Sequence, residues 1–312
     1  MKSIVFFGEC MLEYQSDGNI HFGGDTLNTS LYLARTTVSE RLMISYATAV
    51  GTDNVSEKLV QYWQQEGINN QYISQFDDKS VGSYSIQTDN NGERTFVYDR
   101  LNSAVRYYFQ NDHTSFTFAL TNKSCDYVYI SGISLAILGD ADRIKLLNML
   151  TVFKNKGGYF IFDNNYRETL WQNVDPIFTY MQVMQLADLV FLTDEDEYAL
   201  YGGNTVESIL ERTDQWQIPE VVIKQGAKPC IIKHKNKIST VESMTISAHR
   251  IIDTCAAGDA FSAGYLAKRL MGESVIVAAR FAHQLAGEVI QHSGAIILKE
   301  NMCHLMPTAH SS

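Results

Sequence analysis

Near the C-terminal end of the chain, the stretch Asp253-Thr254-Cys255-Ala256-Ala257-Gly258-Asp259-Ala260-Phe261 combines a turn of small residues with a carboxylate. A strand-like run, Arg250 to Ile252, enters it, and a helix-like run from about Ala260 to Leu270 leaves it. Small side chains let the N–H groups of Ala256, Ala257 and Gly258 face outward at a helix N-terminus, where the partial positive charge favours an anion. Asp259 stands beside that anion as a base. Phosphoryl transfer depends on this pairing of positioning and charge stabilisation.

Further polar clusters are spaced along the chain. Phe22-Gly23-Gly24-Asp25-Thr26-Leu27-Asn28 lets backbone come close to a polyol, with Asp25 and Asn28 able to bond hydroxyls. Asp163-Asn164-Asn165-Tyr166-Arg167 ends in a guanidinium fork suited to a carboxylate or phosphate. Thr193-Asp194-Glu195-Asp196-Glu197 is an acidic run, and Lys224-Gln225-Gly226 follows an apolar stretch. His283 and His292, on the last helix, read as packing residues before adenine-edge residues.

The elements that must hold these clusters alternate. Ile4 to Phe7, Ile44 to Val50, Tyr127 to Ser131, Tyr159 to Phe162, Leu186 to Leu192 and Val221 to Lys224 read as strands. Helices are expected over Asp53–Glu66, Asp142–Lys156, about 259–270 and 274–292. Each polar cluster follows a strand, which predicts an α/β fold, a mostly parallel sheet with helices on both faces and ligands at the carboxyl ends of the strands. Two segments break the alternation. Short strands flank Ser16-Asp17-Gly18-Asn19, and the Tyr- and Thr-rich stretch from Gly82 to Tyr98 turns at Asp89-Asn90-Asn91-Gly92, an Asn-Gly hairpin. Segments of approximately 10–22 and 70–100 are therefore expected to form a small sheet inserted as a lid in a single domain of residues 1–312. A hairpin is expected at Cys230–His234 and Lys237–Thr240.

Composition narrows the partners. The 312 residues are 45% hydrophobic and 19% charged, as in globular proteins, with a formal net charge of −10. That charge disfavours nucleic acid and anionic membranes as partners. The cysteines Cys10, Cys125, Cys230, Cys255 and Cys303 form no CxxC pair, which favours reduced thiols and a cytoplasmic protein. No apolar run approaches a membrane span. G-x-x-x-x-G-K-[ST] and G-x-G-x-x-G are absent, so P-loop and dinucleotide-binding chemistry lack their motifs.

Asp253-Thr254-x-Ala256-Ala257-Gly258-Asp259 resembles the D-T-x-G-A-G-D element of the ribokinase-like (PfkB) sugar kinases, departing at Ala256, where most of the family has Gly. The Gly23-Gly24 segment with Asn28 resembles the family's G-G-x-x-x-N element. Asp-Asn-Asn-Tyr-Arg looks like the D-x-N-x-R segment of the 2-keto-3-deoxygluconate kinases. The motifs occur in the family's order over nearly the whole chain.

The resemblance implies a kinase with Asp259 as base and the Ala256, Ala257 and Gly258 N–H groups as anion hole. Gly24, Asp25 and Asn28 would meet sugar hydroxyls, and Tyr84, Tyr98, Arg100 and Arg167 would surround the substrate. Two arginines suit a sugar acid better than a neutral hexose. Asn165, Arg167, Lys224, Gly226, Ala256 and Gly258 would serve ATP. The acidic run would place Mg²⁺ through Asp194 and Glu197, although the family's N-x-x-E is replaced here. Asp253 and Thr254 would offer oxygens to a monovalent cation, as in some relatives. Alternatives are a kinase of a neutral ketose or nucleoside, a sugar sensor without turnover, and an assembly role in which Tyr84, Phe96 and Tyr98 join two copies through the lid.

Overall fold

Ile4-Val5-Phe6-Phe7 is apolar at every position, and a strand with that pattern needs cover on both faces. It forms β1 (Lys2–Phe7), buried from its second residue onward. The computed structural model describes residues 1–14, 20–88, 94–110, 114–171, 174–202 and 205–307, with backbone alone at 86–88 and 94–96. The turn residues Ser16-Asp17-Gly18-Asn19 and Asp89-Asn90-Asn91-Gly92, and the Phe96 side chain, lie outside that description.

After β1 come β2 (Met11–Tyr14), β3 (Ile20–Gly23), α1 (Asp25–Thr36), β4 (Leu42–Gly51) and α2 (Asn54–Gln65). Next are β5 (Ile68–Asn69), β6 (Ile73–Phe76), β7 (Gly82–Thr88), β8 (Arg94–Asp99), α3 (Ser115–Asn122) and β9 (Tyr127–Ser131). The chain continues through α4 (Gly132–Ala136), α5 (Asp140–Asn155), β10 (Tyr159–Asp163), α6 (Pro176–Leu186), β11 (Leu189–Thr193), α7 (Asp194–Tyr201) and α8 (Val206–Gln215). It closes with β12 (Glu220–Lys224), β13 (Cys230–His234), β14 (Lys237–Val241), α9 (Ala257–Arg269) and α10 (Val275–Val289).

The large sheet runs β14-β13-β12-β11-β10-β9-β1-β4-β5, with β6 also paired to β4. Its pairs from β12 to β5 are parallel, and the β13 and β14 additions are antiparallel. The chain leaves β1 toward β4 on one side and later returns to β9 on the other. Such a reversal opens a crevice at the carboxyl ends of the central strands. Side chains alternate between two cores. Ile4 and Phe6 meet α1, α2, α9 and α10, while Val5 and Phe7 meet α3, α5, α6 and α8. Trp63 is fully buried in the first of these, so it is a core residue. No helix among the described residues is long and apolar enough to cross a membrane.

The second sheet, β3-β2-β7-β8, stands apart from the first. Residues 73–76, expected in this sheet, join the main one instead, because β6 finds a parallel partner in β4 (Thr48↔Ile73). A further difference concerns the entry to the catalytic turn. Ile251 and Ile252 are exposed and extend no sheet; the Ile252 N–H bonds the Ile290 carbonyl at 2.9 Å, at the end of α10. β-branched residues alone do not make a strand where no edge is available to pair. α9 starts at Ala257, earlier than the expected 259 or 260, because Ala256 already caps it.

One buried ion pair ties the first core to the C-terminal segment. Arg35, at the end of α1, donates to both Glu66 oxygens (2.9 and 2.8 Å), to Tyr62 Oη (3.2 Å) and to the Ile297 carbonyl (2.6 Å). Arg35→Met leaves Glu66 with the neutral Tyr62 hydroxyl and with Lys299, whose side chain is 45% exposed. An uncompensated buried charge costs about 3–5 kcal/mol. Urea unfolding is expected to show a lower midpoint at unchanged slope; an unchanged midpoint would remove this pair from the fold's determinants.

Candidate active site

The side chains that meet at the crevice come from strand ends and from the starts of two helices, α1 and α9. Asp259 lies in the first turn of α9, partly buried, and its Oδ2 accepts a hydrogen bond from Asn28 Nδ2 at 2.8 Å. Asn28 belongs to α1, so the two glycine-containing motifs meet across 231 positions of sequence. Asp25, one helical turn earlier, accepts from its neighbour Thr26 N–H (2.8 Å) and, through Oδ2, from Asn165 Nδ2 (2.7 Å). The Gly24-Asp25-Asn28, Asp163-to-Arg167 and Ala256-to-Asp259 segments thus converge on one place.

Two backbone conformations make this possible. Gly24 has φ +146°, and a Cβ there would collide with the Glu9 carbonyl oxygen. Only glycine allows α1 to begin so close to the end of β1. Ala256 has φ +58°, ψ +13°, in the left-handed region that glycine fills at least cost. The turn is further tied down by Asp253, whose Oδ1 accepts the Cys255 N–H (2.9 Å) and whose Oδ2 accepts the Gly294 N–H (3.0 Å). Of the three N–H groups expected to hold an anion, that of Ala257 points to the Thr254 carbonyl at a long 3.3 Å.

Electrostatics set the chemistry of Asp259. Burial, and then the nearby carboxylates of Asp25 and Asp163, push its pKa from 3.8 up to about 7; the Asn28 bond and the Lys224 ammonium act the other way. Such a carboxylate is poised to accept a proton near neutrality. Asp25 is also raised, chiefly by burial, against the bonds from Ser131 and Asn165. The Cys255 thiol, exposed on the turn, is pushed up to about 11 by desolvation and the surrounding acids, so it stays protonated.

The small sheet supplies the opposite wall. Tyr84 and Tyr98 pair across β7 and β8 with ring centres 5.7 Å apart, and Tyr84 donates to Glu13 at 2.6 Å. Tyr98 is 57% exposed. Arg100, just past β8, makes an ion pair with the buried Glu9 that follows β1. Arg167 pairs with Asp196 at 3.2 Å and donates to the Tyr166 carbonyl at 2.7 Å, with half of its side chain exposed. The two arginines are therefore held by different acids on different elements.

Lys224, at the end of β12, is buried against Asp163 at 2.9 Å and lies 3.6 Å from where a Cβ of Gly258 would stand. Gly226 follows with φ +59° and open space around it. In the acidic run, Asp194 opens α7, with its Oδ1 on the Glu195 N–H at 3.0 Å. Glu197 is 1% exposed and bound by Arg212 and by Asn164 Nδ2 (3.1 Å). Among the described residues no group of three or more His, Cys, Asp or Glu could hold a metal ion. His283 is buried, stacked edge-on to Phe261 and bonded to the Val241 carbonyl (3.2 Å); His292 binds Glu288 (3.0 Å). His283 is a packing residue, whereas His292 lies half-buried past the end of α10 among polar partners.

Sequence reasoning did not single out Glu9, Glu13, Ser131 or Ser262. Glu9 and Ser131 stand just past or at a strand end, a signal that was available; Ser262 lies inside a helix and carried none.

Comparison with known proteins identifies the family and the fold. Residues 1–302 match the model of the pfkB family of carbohydrate kinases. The chain belongs to that family. A 2-dehydro-3-deoxygluconokinase of Dickeya dadantii is 42% identical over 306 residues, covering 96% of this chain and 98% of its own. Among solved structures, a 2-dehydro-3-deoxygluconokinase of Thermotoga maritima superposes with TM-score 0.82 at 20% identity, covering 97% of this chain and 98% of that one. A fructokinase of Xylella fastidiosa with bound ATP gives TM-score 0.81 at 18% identity, covering 97% of each chain. This pfkB-family chain thus has the ribokinase-like fold, with a large mostly parallel sheet, helices and a small separate sheet.

The left-handed Ala256 yields a prediction. Relieving a non-glycine residue of that conformation recovers about 1–2 kcal/mol, and the added freedom of glycine in the unfolded chain takes back about half. Ala256→Gly is therefore expected to raise stability by about 0.5–1 kcal/mol in thermal unfolding. A fall in Tm would show that Ala256 is unstrained.

Proposed function

We propose that the chain transfers the γ-phosphate of ATP to the primary hydroxyl of 2-dehydro-3-deoxy-D-gluconate, giving the 6-phosphate and ADP. The observation that carries this reading is Asp259, held by Asn28 and raised to about 7, beside a helix N-terminus with small residues. The 42% identity to a relative named for that reaction supports the choice of sugar acid. In this reading Asp259 takes the proton of the attacking hydroxyl as the phosphoryl group arrives. Little nucleophilic push is needed, because the transition state is loose. The Ala257 N–H would exchange its 3.3 Å bond to the Thr254 carbonyl for a phosphoryl oxygen, and the Ala256 and Gly258 N–H groups would donate to the same group.

Gly24, Asp25 and Asn28 would orient the sugar, and Tyr84, Tyr98, Arg100 and Arg167 would enclose its carboxylate. Asn165, Lys224, Gly226 and again Arg167 would border the nucleotide. Mg²⁺ keeps several waters and needs only one or two carboxylates beside phosphate oxygens, which suits a site with no closed acidic cage. Bound there it would neutralise phosphate charge, with Asp194 reaching its water shell and Glu197 fixing Asn164. The small sheet would close over the sugar as a lid, and its exposed Tyr14, Ile20 and Val97 offer a face to a second copy. Asp253 is committed to two backbone N–H groups, so a monovalent cation would take carbonyl oxygens or Thr254 instead.

A neutral ketose is the second reading. It is favoured by one observation, that Arg100 and Arg167 already have the acidic partners Glu9 and Asp196. ATP turnover against 2-dehydro-3-deoxygluconate, gluconate, fructose, ribose and adenosine separates the two. Turnover is expected on the keto-deoxy acid alone, to vanish in Asp259→Ala, and to lose its preference for that acid by about 100-fold in Arg167→Ala. Turnover on fructose that Arg167→Ala leaves intact would overturn the sugar-acid assignment.

A further inference from the structure

Behind the catalytic turn lies a second buried polar cluster, centred on one oxygen. Asp163 Oδ2 accepts hydrogen bonds from Lys224 Nζ (2.9 Å), Ser262 Oγ (3.0 Å) and Tyr129 Oη (3.1 Å). Lys224 Nζ also reaches Ser262 Oγ at 3.4 Å. The four residues come from β9, β10, β12 and α9, and their exposures are 2% (Tyr129), 4% (Asp163), 9% (Lys224) and 0% (Ser262). A buried ion pair of this kind contributes little net stability, since apolar residues of the same shape often do as well. Its position points to another use. Asp163 and Lys224 end their strands at the crevice, Ser262 lies in the helix that starts at the catalytic turn, and Tyr129 reaches Asp163 from the middle of β9. The ammonium approaches Gly258, whose added Cβ would meet only Lys224 Nζ within 4 Å. Asp163 and Ser262 account for two of its three N–H groups.

We propose that Asp163, Ser262 and Tyr129 are positioning residues for phosphoryl transfer: together they hold the Lys224 ammonium under the Gly258 end of the turn, facing the transferred phosphoryl oxygens, and balance the field at Asp259. The proposal rests on the phosphoryl-transfer reading above and is independent of which sugar is used. An ammonium held by Asp163 and Ser262 needs no reorganisation as negative charge develops, which is the property that makes electrostatic catalysis effective. Asp163 fixes the lysine. The Ser262 and Tyr129 hydroxyls fix Asp163, whose lone pairs are then fully committed on that oxygen.

The charges around Asp259 give the proposal a directional test. From α1 it faces Asp25, Asn28 and Tyr32; from β9 Tyr129; from β10 Asp163; from β12 Lys224; and from its own turn Cys255. The His283 ring of α10 is turned to the Val241 carbonyl. Asp25 and Asp163 oppose ionisation of Asp259, and Lys224 favours it. Removing the lysine and removing its partner should therefore displace the acid limb of the pH profile in opposite directions.

Steady-state kinetics of the full chain with ATP and its best sugar acceptor, across pH, make the test. Lys224→Met is expected to lower kcat about 100-fold, the loss typical of one preorganised donor, with KM for the sugar within a few-fold. The acid limb of kcat/KM should move to higher pH in that variant and to lower pH in Asp163→Asn. Ser262→Ala removes only one hydrogen bond and serves if Asp163→Asn does not fold; kcat should fall about tenfold with the sugar KM unchanged. Native kcat in Lys224→Met or Ser262→Ala overturns the positioning role, and lost turnover with an unmoved acid limb in Lys224→Met overturns the balance at Asp259. The native chain and Asp259→Ala, run beside them, keep the two readings apart. If the native chain turns over ATP with no acceptor, the phosphoryl-transfer reading itself fails; if Asp259→Ala retains turnover, Asp259 is not the base and the balance at Asp259 falls with it; if Asp259→Ala is inactive while Lys224→Met is native-like, only the positioning proposal fails.

Discussion

Three carboxylates, those of Asp25, Asp163 and Asp259, share one crevice with the ammonium of Lys224, and most of the site follows from how that imbalance is managed. Two like charges brought together out of water cannot both ionise freely. Asp163 is settled by Lys224, Ser262 and Tyr129, and Asp25 by Thr26, Asn165 and Ser131. Asp259 receives one neutral donor, Asn28, and carries the remaining disadvantage. The residue left least compensated is the one whose proton affinity the proposed reaction uses.

The fold delivers this arrangement by ordinary means. Parallel strands place β10, β11 and β12 side by side, with Asp163 opposite Phe191 and Thr193 opposite Lys224, so the strand ends form a stepped row in which Lys224 stands two residues beyond the level of Asp163. Helix α1 then brings Asp25 and Asn28 over that row, and α9 packs against α1 with its N-terminus pointing into the crevice. Both helices begin at a strained or glycine-dependent residue, Ala256 in one case and Gly24 in the other. Strain at such points is commonly found where a site must be built against the preference of the backbone. The same logic explains why the turn is pinned from behind by Asp253 on Gly294.

Much of this was legible in the residues. Continuous apolar runs marked the buried strands, and small residues before Asp259 marked the helix start, because both are local signals. The contacts that define the site are not local. Asn28 to Asp259 and Lys224 to Asp163 span 231 and 61 positions, and no periodicity relates them. Arg100 and Arg167 read as free forks for a ligand, yet each has an acid beside it that only the three-dimensional arrangement supplies. Ile251 and Ile252 read as a strand on propensity alone, and the absence of a pairing edge decided otherwise. Residues 73–76 went to the main sheet for the converse reason, since β4 offered an open edge.

The central claim, that the site holds Asp259 against its own ionisation, is tested most directly by unfolding free energies of the native chain and of Asp259→Asn as a function of pH. Asp259 binds a proton in the folded state up to pH about 7 but only up to about 3.8 when unfolded. The native chain therefore loses stability as pH rises between those values, and the asparagine variant, which cannot ionise and still accepts from Asn28, does not. The stability difference should be small near pH 4, widen in favour of Asp259→Asn by up to about 1.4 kcal/mol per pH unit, and level off above pH 7. A difference that stays flat from pH 4 to 7 would contradict the account.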